Sequence, residues 1–525
     1  MKHTKLVSLL LALCMLCSCA ATALADTVLP LTEETQTLRI ATQIWDGQPS
    51  NYDVKLYQQI EAETNVHVEW IETLSSAWND KKNIVMASDE LPDIFIGRAN
   101  FSNDDLLNFG KNGFFVPLQD YIADMPNFSA AMEKHPEWLS ALYADDGNIY
   151  SLPYIDAANR FKTGNIPYIN QSWIKTLGLD VDLTQPLTLE KFKEILIAFR
   201  DGDPNGNGKK DEIPWAFGNG GKDAYQWSAS FGIIENGSHL YVDGEEVRFA
   251  PVQEGYKAFV KWLHELWQEG LIDPEAFTQS GTVLNAKLKS PERIVGYLSG
   301  WRNTSWNLSD DDDAYTFGLP LNTGIAPVAW PEQSTMDYIR SGFVVTSSCK
   351  NVELALKWVD YLYSDDISLQ MSTNYMIGEH IQKEADGTFT QIRPLDWNRE
   401  GELNLIPGNF ARLMIFDEEN FERMQEKPAV YIQKKPIDEV YEANGYFSDT
   451  IKLLPSYMWI SSADTDEASI IRSDIDPYVQ SCYARWVTTG GIDEEWDEYI
   501  QTLKAMGMDE LVGIYQRNYD AFLGK

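Results

Sequence analysis

The sequence predicts an α/β chain built from two large units that share strands and exchange the polypeptide several times. Three observations carry this reading. The first hundred residues alternate strand-like and helix-like apolar patterns. The length of 525 residues provides several domain equivalents. No internal repeat, low-complexity tract or Pro- or Ser-rich linker marks a single join between the units.

The first 25 residues read as an address. Lys2 and Lys5 form a basic start, and residues 6–16 are an apolar run of signal-peptide length, too short for a lasting membrane span. Two processing routes stay open. Leu16-Cys17-Ser18-Cys19 is similar to the lipobox of bacterial lipoproteins, which would make Cys19 the lipidated terminus and anchor the chain without a transmembrane helix. Alternatively, Ala23-Leu24-Ala25 is a small-x-small cleavage site ahead of Asp26.

Residues 38–44 (LRIATQI) then predict a strand, and residues 51–63 a helix with Val54, Leu56, Tyr57 and Ile60 at helical spacing. Residues 66–71 alternate as a strand, 78–87 read as helix, and 93–97 as a third strand ending at Gly97. Such alternation implies right-handed crossovers and a mainly parallel sheet, with ligands at the carboxyl ends of strands. Farther on, residues 254–269 form a strongly amphipathic helix with Tyr256, Phe259, Val260, Leu263, Leu266 and Trp267 on one stripe. Residues 293–299 and 342–347 are strands, 351–363 a helix, and helical periodicity dominates after about residue 485.

Composition excludes some functions. Hydrophobic residues at 44% and charged residues at 23% are those of a folded protein. With 42 basic against 79 acidic residues the net charge is −37, which repels phosphate backbones and disfavours nucleic acid as a partner. The 17 Trp exceed what a core needs and suit a protein that meets apolar ring faces, sugars among them. Of five Cys, three lie in the leader; Cys349 and Cys482 allow one disulfide but no disulfide framework.

One motif carries specific chemistry. Residues 201–214 read DGDPNGNGKKDEIP, with oxygen-bearing side chains mostly at alternate positions and Gly between them. Calcium takes six to eight oxygen ligands on a loop that can curl, and the stretch fits an EF-hand-type loop in two registers. One starts at Asp201, turns at Gly206 and closes at Glu212. The other starts at Asp203, with Asn205, Asn207, a turn at Gly208, the Lys209 carbonyl, Asp211 and Glu212; its twelfth position is Pro214, so Glu212 must close it. The competing reading is a solvated cluster of turn formers. An ion here would be structural.

The lipoprotein-like leader, LPDIFIG at 91–97, DDGNIYSLPYI at 145–155, DPNGNGKKDEIP at 203–214 and SGFVVTSSCKNVELALKWVDYLYS at 341–364 together resemble the family 1 extracellular solute-binding proteins of bacterial ABC transporters. The similarity is to the large branch that includes LipO-type lipoproteins and alginate-oligosaccharide-binding proteins, and it covers essentially the whole mature chain. It implies the two-lobed periplasmic-binding-protein fold of type II, mainly parallel sheets flanked by helices, with lobes joined by hinge crossings. By resemblance the crossings fall near 152–158, 338–343 and 376–382, giving an amino-terminal lobe of 36–155 plus 343–377 and a carboxy-terminal lobe of 156–342 plus 378–525. It also implies the second calcium register, with Asp203, Asn205, Asn207, Lys209, Asp211 and Glu212 as ligands of structural Ca2+. The implied function is capture of an oligosaccharide in an inter-lobe cleft, outside the cytoplasm at the cell surface, by a lipid-anchored monomer that delivers it to membrane permease subunits. The chain has no phosphate loop of its own, since Gly218–Lys222 (GNGGK) lacks the spacing and the hydroxyl residue.

A sugar cleft needs aromatic platforms for ring faces and charged or amide groups for hydroxyls. Trp45 and Asp46 follow the first predicted strand, Arg98 the third, Asp156 and Arg160 the first hinge, and Trp301 and Arg302 the strand at 293–299. Trp227, Trp330 and Trp397 sit in loop-like context. Each Trp has core packing as its rival role, and Arg98 and Asp156 have surface ion pairing as theirs. Trp262, Trp267 and Trp358 lie on helical stripes and are assigned to core.

Two other classes compete with transport. A secreted glycoside-active enzyme needs only two carboxylates, but no pair stands out. His67, His135, His239, His264 and His380 are scattered, with no HExxH or GxSxG motif, so no catalytic residue is assigned. A cell-surface sugar sensor on the same fold is the second.

Overall fold

The computed structural model describes residues 27–525 except 45–47, 89, 98–100, 159–160, 302–313, 334–335, 396–404, 409–410 and 456–457. The chain divides into two compact units, Met1–Ile155 with Ile339–Gln382 and Leu395–Phe416, and Asp156–Tyr338 with Lys383–Pro394 and Asp417–Lys525. The polypeptide therefore passes between units at 155/156, 338/339, 382/383, 394/395 and 416/417. Residues 395–416, assigned from sequence to the carboxy-terminal lobe, group with the first unit. There the Leu405 carbonyl accepts from Leu56 N (3.0 Å) and the Ala411 carbonyl from Tyr57 Oη (2.6 Å).

The first unit is organised by a six-stranded sheet in the order Ile415–Asp417, Leu152–Ala157, Asp337–Val345, Ile94–Ile96, Gln36–Ile44 and Val66–Leu74. Gln36–Ile44 pairs in parallel with Val66–Leu74 along all nine residues, and Ile40 and Ala41 pair in parallel with Ile94 and Phe95. The crossover between the first two is the helix Lys55–Thr64, which buries Leu56, Tyr57 and Ile60 and stops at Asn65 in the left-handed region (φ 57°). Val54, read from sequence inside this helix, is instead its N-cap, after a short 3-10 turn at Asn51–Asp53. Phe95, Phe101 and Phe115 pack edge to face at 4.9–5.0 Å on the sheet. The helix Pro126–Lys134 has no side-chain cap of its own. Asp360, from the helix Val352–Leu362, fills that role, accepting from Asn127 N (3.3 Å) and Phe128 N (2.9 Å).

The second unit holds a four-stranded sheet in the order Tyr315–Phe317, Ile166–Asn170, Val295–Gly300 and Ile213–Trp215. Two of its pairings are antiparallel and only Ile213–Trp215 on Val295–Gly300 is parallel, so the expectation of mainly parallel sheets fails here. The reason is that Ile166–Asn170 leads into the short helix Gln171–Thr176 and pairs with strands far away in sequence, which no βαβ pattern announces. A hairpin of Leu240–Asp243 and Glu246–Phe249, turned at Gly244 (φ 65°), adds a second small sheet.

The predicted helix at 254–269 runs over Glu254–Gln268 and buries Tyr256, Phe259, Val260, Trp262, Leu263 and Leu266. The long helix Ser462–Thr489 contributes Ile475, Val479, Tyr483 and Trp486 to the same core, and its start at 462 precedes the helical region expected from about 485. Cys349 and Cys482 are both buried, free thiols.

Asp438 ties the start of this unit to its carboxy-terminal part. Its buried carboxylate accepts from Lys162 N (3.0 Å), Thr163 N (2.8 Å) and Thr163 Oγ1 (2.6 Å). Asp438→Ala strands these donors, two of them on buried Thr163, and should cost about 3 kcal/mol. Chemical denaturation would show it as a lower midpoint, and an unchanged midpoint would mean that water replaces the carboxylate.

Candidate functional site

The helix Leu189–Asp201 is capped by Thr188 Oγ1, which accepts from Lys191 N (3.2 Å), and ends at Gly202. The acidic loop follows directly. Asp201 turns to the adjacent Arg200, accepting from Nε and Nη2 at 2.8 Å each. Asp203 instead turns inward, accepting from Asn207 N (3.1 Å) and Gly208 N (3.0 Å). Gly206 and Gly208 both adopt φ 72°, the left-handed turns that such a curl requires. Asn205 Nδ2 and Asn207 Nδ2 each donate to Asp211 Oδ1 at 3.1 Å, so Asp203, Asn205, Asn207 and Asp211 form one hydrogen-bonded knot.

Glu212 is the anomaly in that knot. Both carboxylate oxygens are buried, and no side chain donates to either. Burial, with Asp211 and Asp203 adding like charge, pushes its carboxyl above the usual range. A carboxylate so placed is suited to a nearby cation. Among the described residues no group of three or more His, Cys, Asp or Glu is gathered tightly enough to hold a metal by itself. The loop's remaining donors are amide and carbonyl oxygens, and a half-turn of either Asn amide exchanges nitrogen for oxygen. The donor set is thus all oxygen with one buried carboxylate, which fits a hard cation.

Of the residues proposed to meet a sugar, Trp45, Asp46, Arg98, Arg160, Arg302 and Trp397 lie outside the described residues, as does Cys19. Asp156 sits on the strand Leu152–Ala157, half-buried, with Oδ1 3.5 Å from Ala158 N. Trp227 is a correction. It belongs to the helical segment Asn219–Phe231, is fully buried, donates Nε1–H to Tyr297 Oη (3.3 Å) and packs on Trp215 at 4.9 Å. Gly220 and Gly221, both at positive φ, break the helical register there and hide the stripe from periodicity. Trp330 is also nearly buried, donating to the Asn165 carbonyl at 3.2 Å, so neither offers a platform face.

Trp301 differs. It follows the strand Val295–Gly300 directly and stays partly exposed. Phe161 packs against its edge with ring centroids 5.5 Å apart. One indole face is covered by Lys434, whose Nζ lies 3.5 Å from the ring centroid and donates to the Gly164 carbonyl at 2.7 Å. Lys434 is wholly buried, and burial pushes its pKa down to about 7. No local pattern points to this residue, because Gln433-Lys434-Lys435 reads as a solvated face.

A lysine depressed in the fold binds fewer protons than its unfolded counterpart between pH 7 and its normal range near 10.5. Stability should therefore rise with pH across that window and stay flat below it. Lys434→Met should remove this increment, seen as wild-type and variant denaturation midpoints that converge as pH climbs from 7 to 10. Parallel midpoints would place the ammonium in contact with water.

A family model of the bacterial extracellular solute-binding proteins matches residues 46–367. The chain belongs to that family. This solute-binding protein is 30% identical over 505 residues to the fructooligosaccharide ABC transporter substrate-binding protein FusA of Streptococcus pneumoniae, covering 93% of this chain and 91% of that one. Its fold superposes on the S. pneumoniae FusA structure in complex with kestose at TM-score 0.81 and 28% identity, over 93% of this chain and 100% of that one. The FusA EF-hand mutant in complex with fructo-nystose gives TM-score 0.82 at the same identity and coverage. These relatives are binding subunits of transporters. Among the described residues of this solute-binding protein no helix is long and apolar enough to cross a membrane.

Proposed function

We propose that this chain is the extracytoplasmic capture subunit of an ABC importer for a neutral oligosaccharide, of fructooligosaccharide class. The similarity to FusA over nearly the whole length of both chains carries the reading. The net charge of −37 disfavours polyanionic glycans, and a partly exposed Trp301 backed by Lys434 suits a neutral ring face. The captured sugar passes to membrane permease subunits, with lipidation at Cys19 as the anchor. Trp45, Asp46, Arg98, Asp156, Arg160, Arg302 and Trp397 remain proposed contributors. Asp203, Asn205, Asn207, Asp211, Glu212 and the Lys209 carbonyl would hold a calcium ion, whose charge would offset the carboxylates and tie the turn.

Thermal shift against kestose, nystose and an alginate oligosaccharide tests the reading. Stabilisation by the first two and not by the third is expected. Equal response to all three, or none, would overturn it, and release of shorter sugars on long incubation would convert the protein into an enzyme.

A further inference from the structure

The partly exposed indole of Trp301 is backed by a charge and not by apolar core. An ammonium carries three donors. Among the described residues, Lys434 Nζ meets a single hydrogen-bond acceptor, the Gly164 carbonyl at 2.7 Å. The rest of its surroundings are rings, with the Trp301 centroid at 3.5 Å and the Phe161 centroid at 5.5 Å.

The charged groups nearby are engaged elsewhere. Asp438, one turn along the same helix Ala429–Ala443, has Oδ1 occupied by Thr163 and Oδ2 by Lys162 N, so it lends Lys434 its field and no hydrogen bond. From the segment before Gly164, the Lys162 ammonium pairs with Glu442 at 2.7 Å. Tyr431, also on the helix, packs on Phe161 with centroids 6.1 Å apart, and burial raises its hydroxyl pKa, so it is uncharged near neutral pH. Among the described residues, Asp438 is thus the one charge that bears on the ammonium. Burial outweighs it and pushes the Lys434 pKa down to about 7, so the ammonium dominates below that pH and the amine above it.

A sugar ring stacked on the open indole face changes these surroundings twice. It removes water from the far side of the ring, which makes the buried charge more costly. It also aims C–H groups, positive end first, at the indole and so toward the cation behind it. Both effects favour the amine, so a proton leaves as the sugar arrives. Linkage makes the coupling reciprocal, and the sugar binds less tightly where Lys434 is charged. We propose that Lys434 is a positioning residue of the sugar site, holding Trp301 from behind and coupling oligosaccharide capture to the release of a proton. The inference rests on the reading of Trp301 as a sugar platform and adds the regulation of that site.

The test uses the full mature chain saturated with calcium, and kestose as the probe. Titration calorimetry at pH 7 in PIPES and in imidazole, buffers of different ionisation heat, reads the proton released. Wild type should release about a quarter of a proton per sugar at pH 7 and bind about threefold more tightly at pH 8.5 than at pH 6. Lys434→Met should release none, with an affinity that no longer depends on pH. A second measurement needs no variant: with 13C at the lysine ε-carbons, one resonance should titrate near neutral pH, and kestose should move its midpoint down. Equal heats in both buffers, the same release from Lys434→Met, or a lysine titration absent near neutral pH or unmoved by kestose would each overturn the proposal. Saturable kestose binding without proton release removes this inference alone, whereas no binding at any pH removes the transport reading with it.

Discussion

Trp301→Ala is expected to weaken oligosaccharide binding at least tenfold, about 1.5–3 kcal/mol, while leaving the fold intact. The indole is placed by the end of the strand Val295–Gly300 and sandwiched on one side by Lys434, so its loss removes a preset apolar surface and not a core layer. A second readout belongs to the same substitution. Without the ring above it, the Lys434 ammonium regains water, and its depressed pKa should return toward the normal range. Calorimetry would report the first effect and the pH dependence of the denaturation midpoint the second. Wild-type affinity in Trp301→Ala would remove this residue from the sugar site; lost affinity with an unchanged pH profile would keep Trp301 but discard Lys434 as its buried support.

Calcium removal should give the largest change in stability. A ligand present at 100 to 1,000 times its dissociation constant contributes about 3–4 kcal/mol, which for a unit of about 300 residues is a melting shift of roughly 5–6 °C. The shift should be confined to the unfolding of the unit that contains the loop, since the other unit, Met1–Ile155 with its two returning segments, holds none of these residues. Glu212→Gln should reduce it, because the substitution removes the buried carboxylate that the cation would neutralise. Identical melting profiles with and without chelator would leave the loop as a turn held by Asp203 and Asp211 alone.

Local pattern was readable wherever local chemistry decides the outcome. The crossover helix after the first strand, the helix Glu254–Gln268 and the alternation of oxygens from Asp203 to Glu212 all follow from spacing within one segment. Side-chain roles set by distant segments were not readable. Trp227 and Trp330 looked like loop aromatics because nothing local shows Tyr297 or Asn165 waiting for their indole N–H groups. Lys434 was invisible for the opposite reason: a lysine among lysines and glutamines reads as solvated, and only the ring of Trp301 and the carbonyl of Gly164 make it a buried cation. Asp201 and Asp203 both begin an acceptable loop on spacing alone, and only the structure shows Asp201 turned to the Arg200 guanidinium and Asp203 turned into the loop.

The unit made of Asp156–Tyr338, Lys383–Pro394 and Asp417–Lys525 cannot close early in its own biosynthesis. Its core awaits Ile475, Val479, Tyr483 and Trp486, and the Asp438 carboxylate that fastens residues 162–163 also arrives late. At about 5–20 residues per second the final stretch of about a hundred residues takes roughly 5–20 s to emerge. For that interval this unit lacks the helix that completes its core.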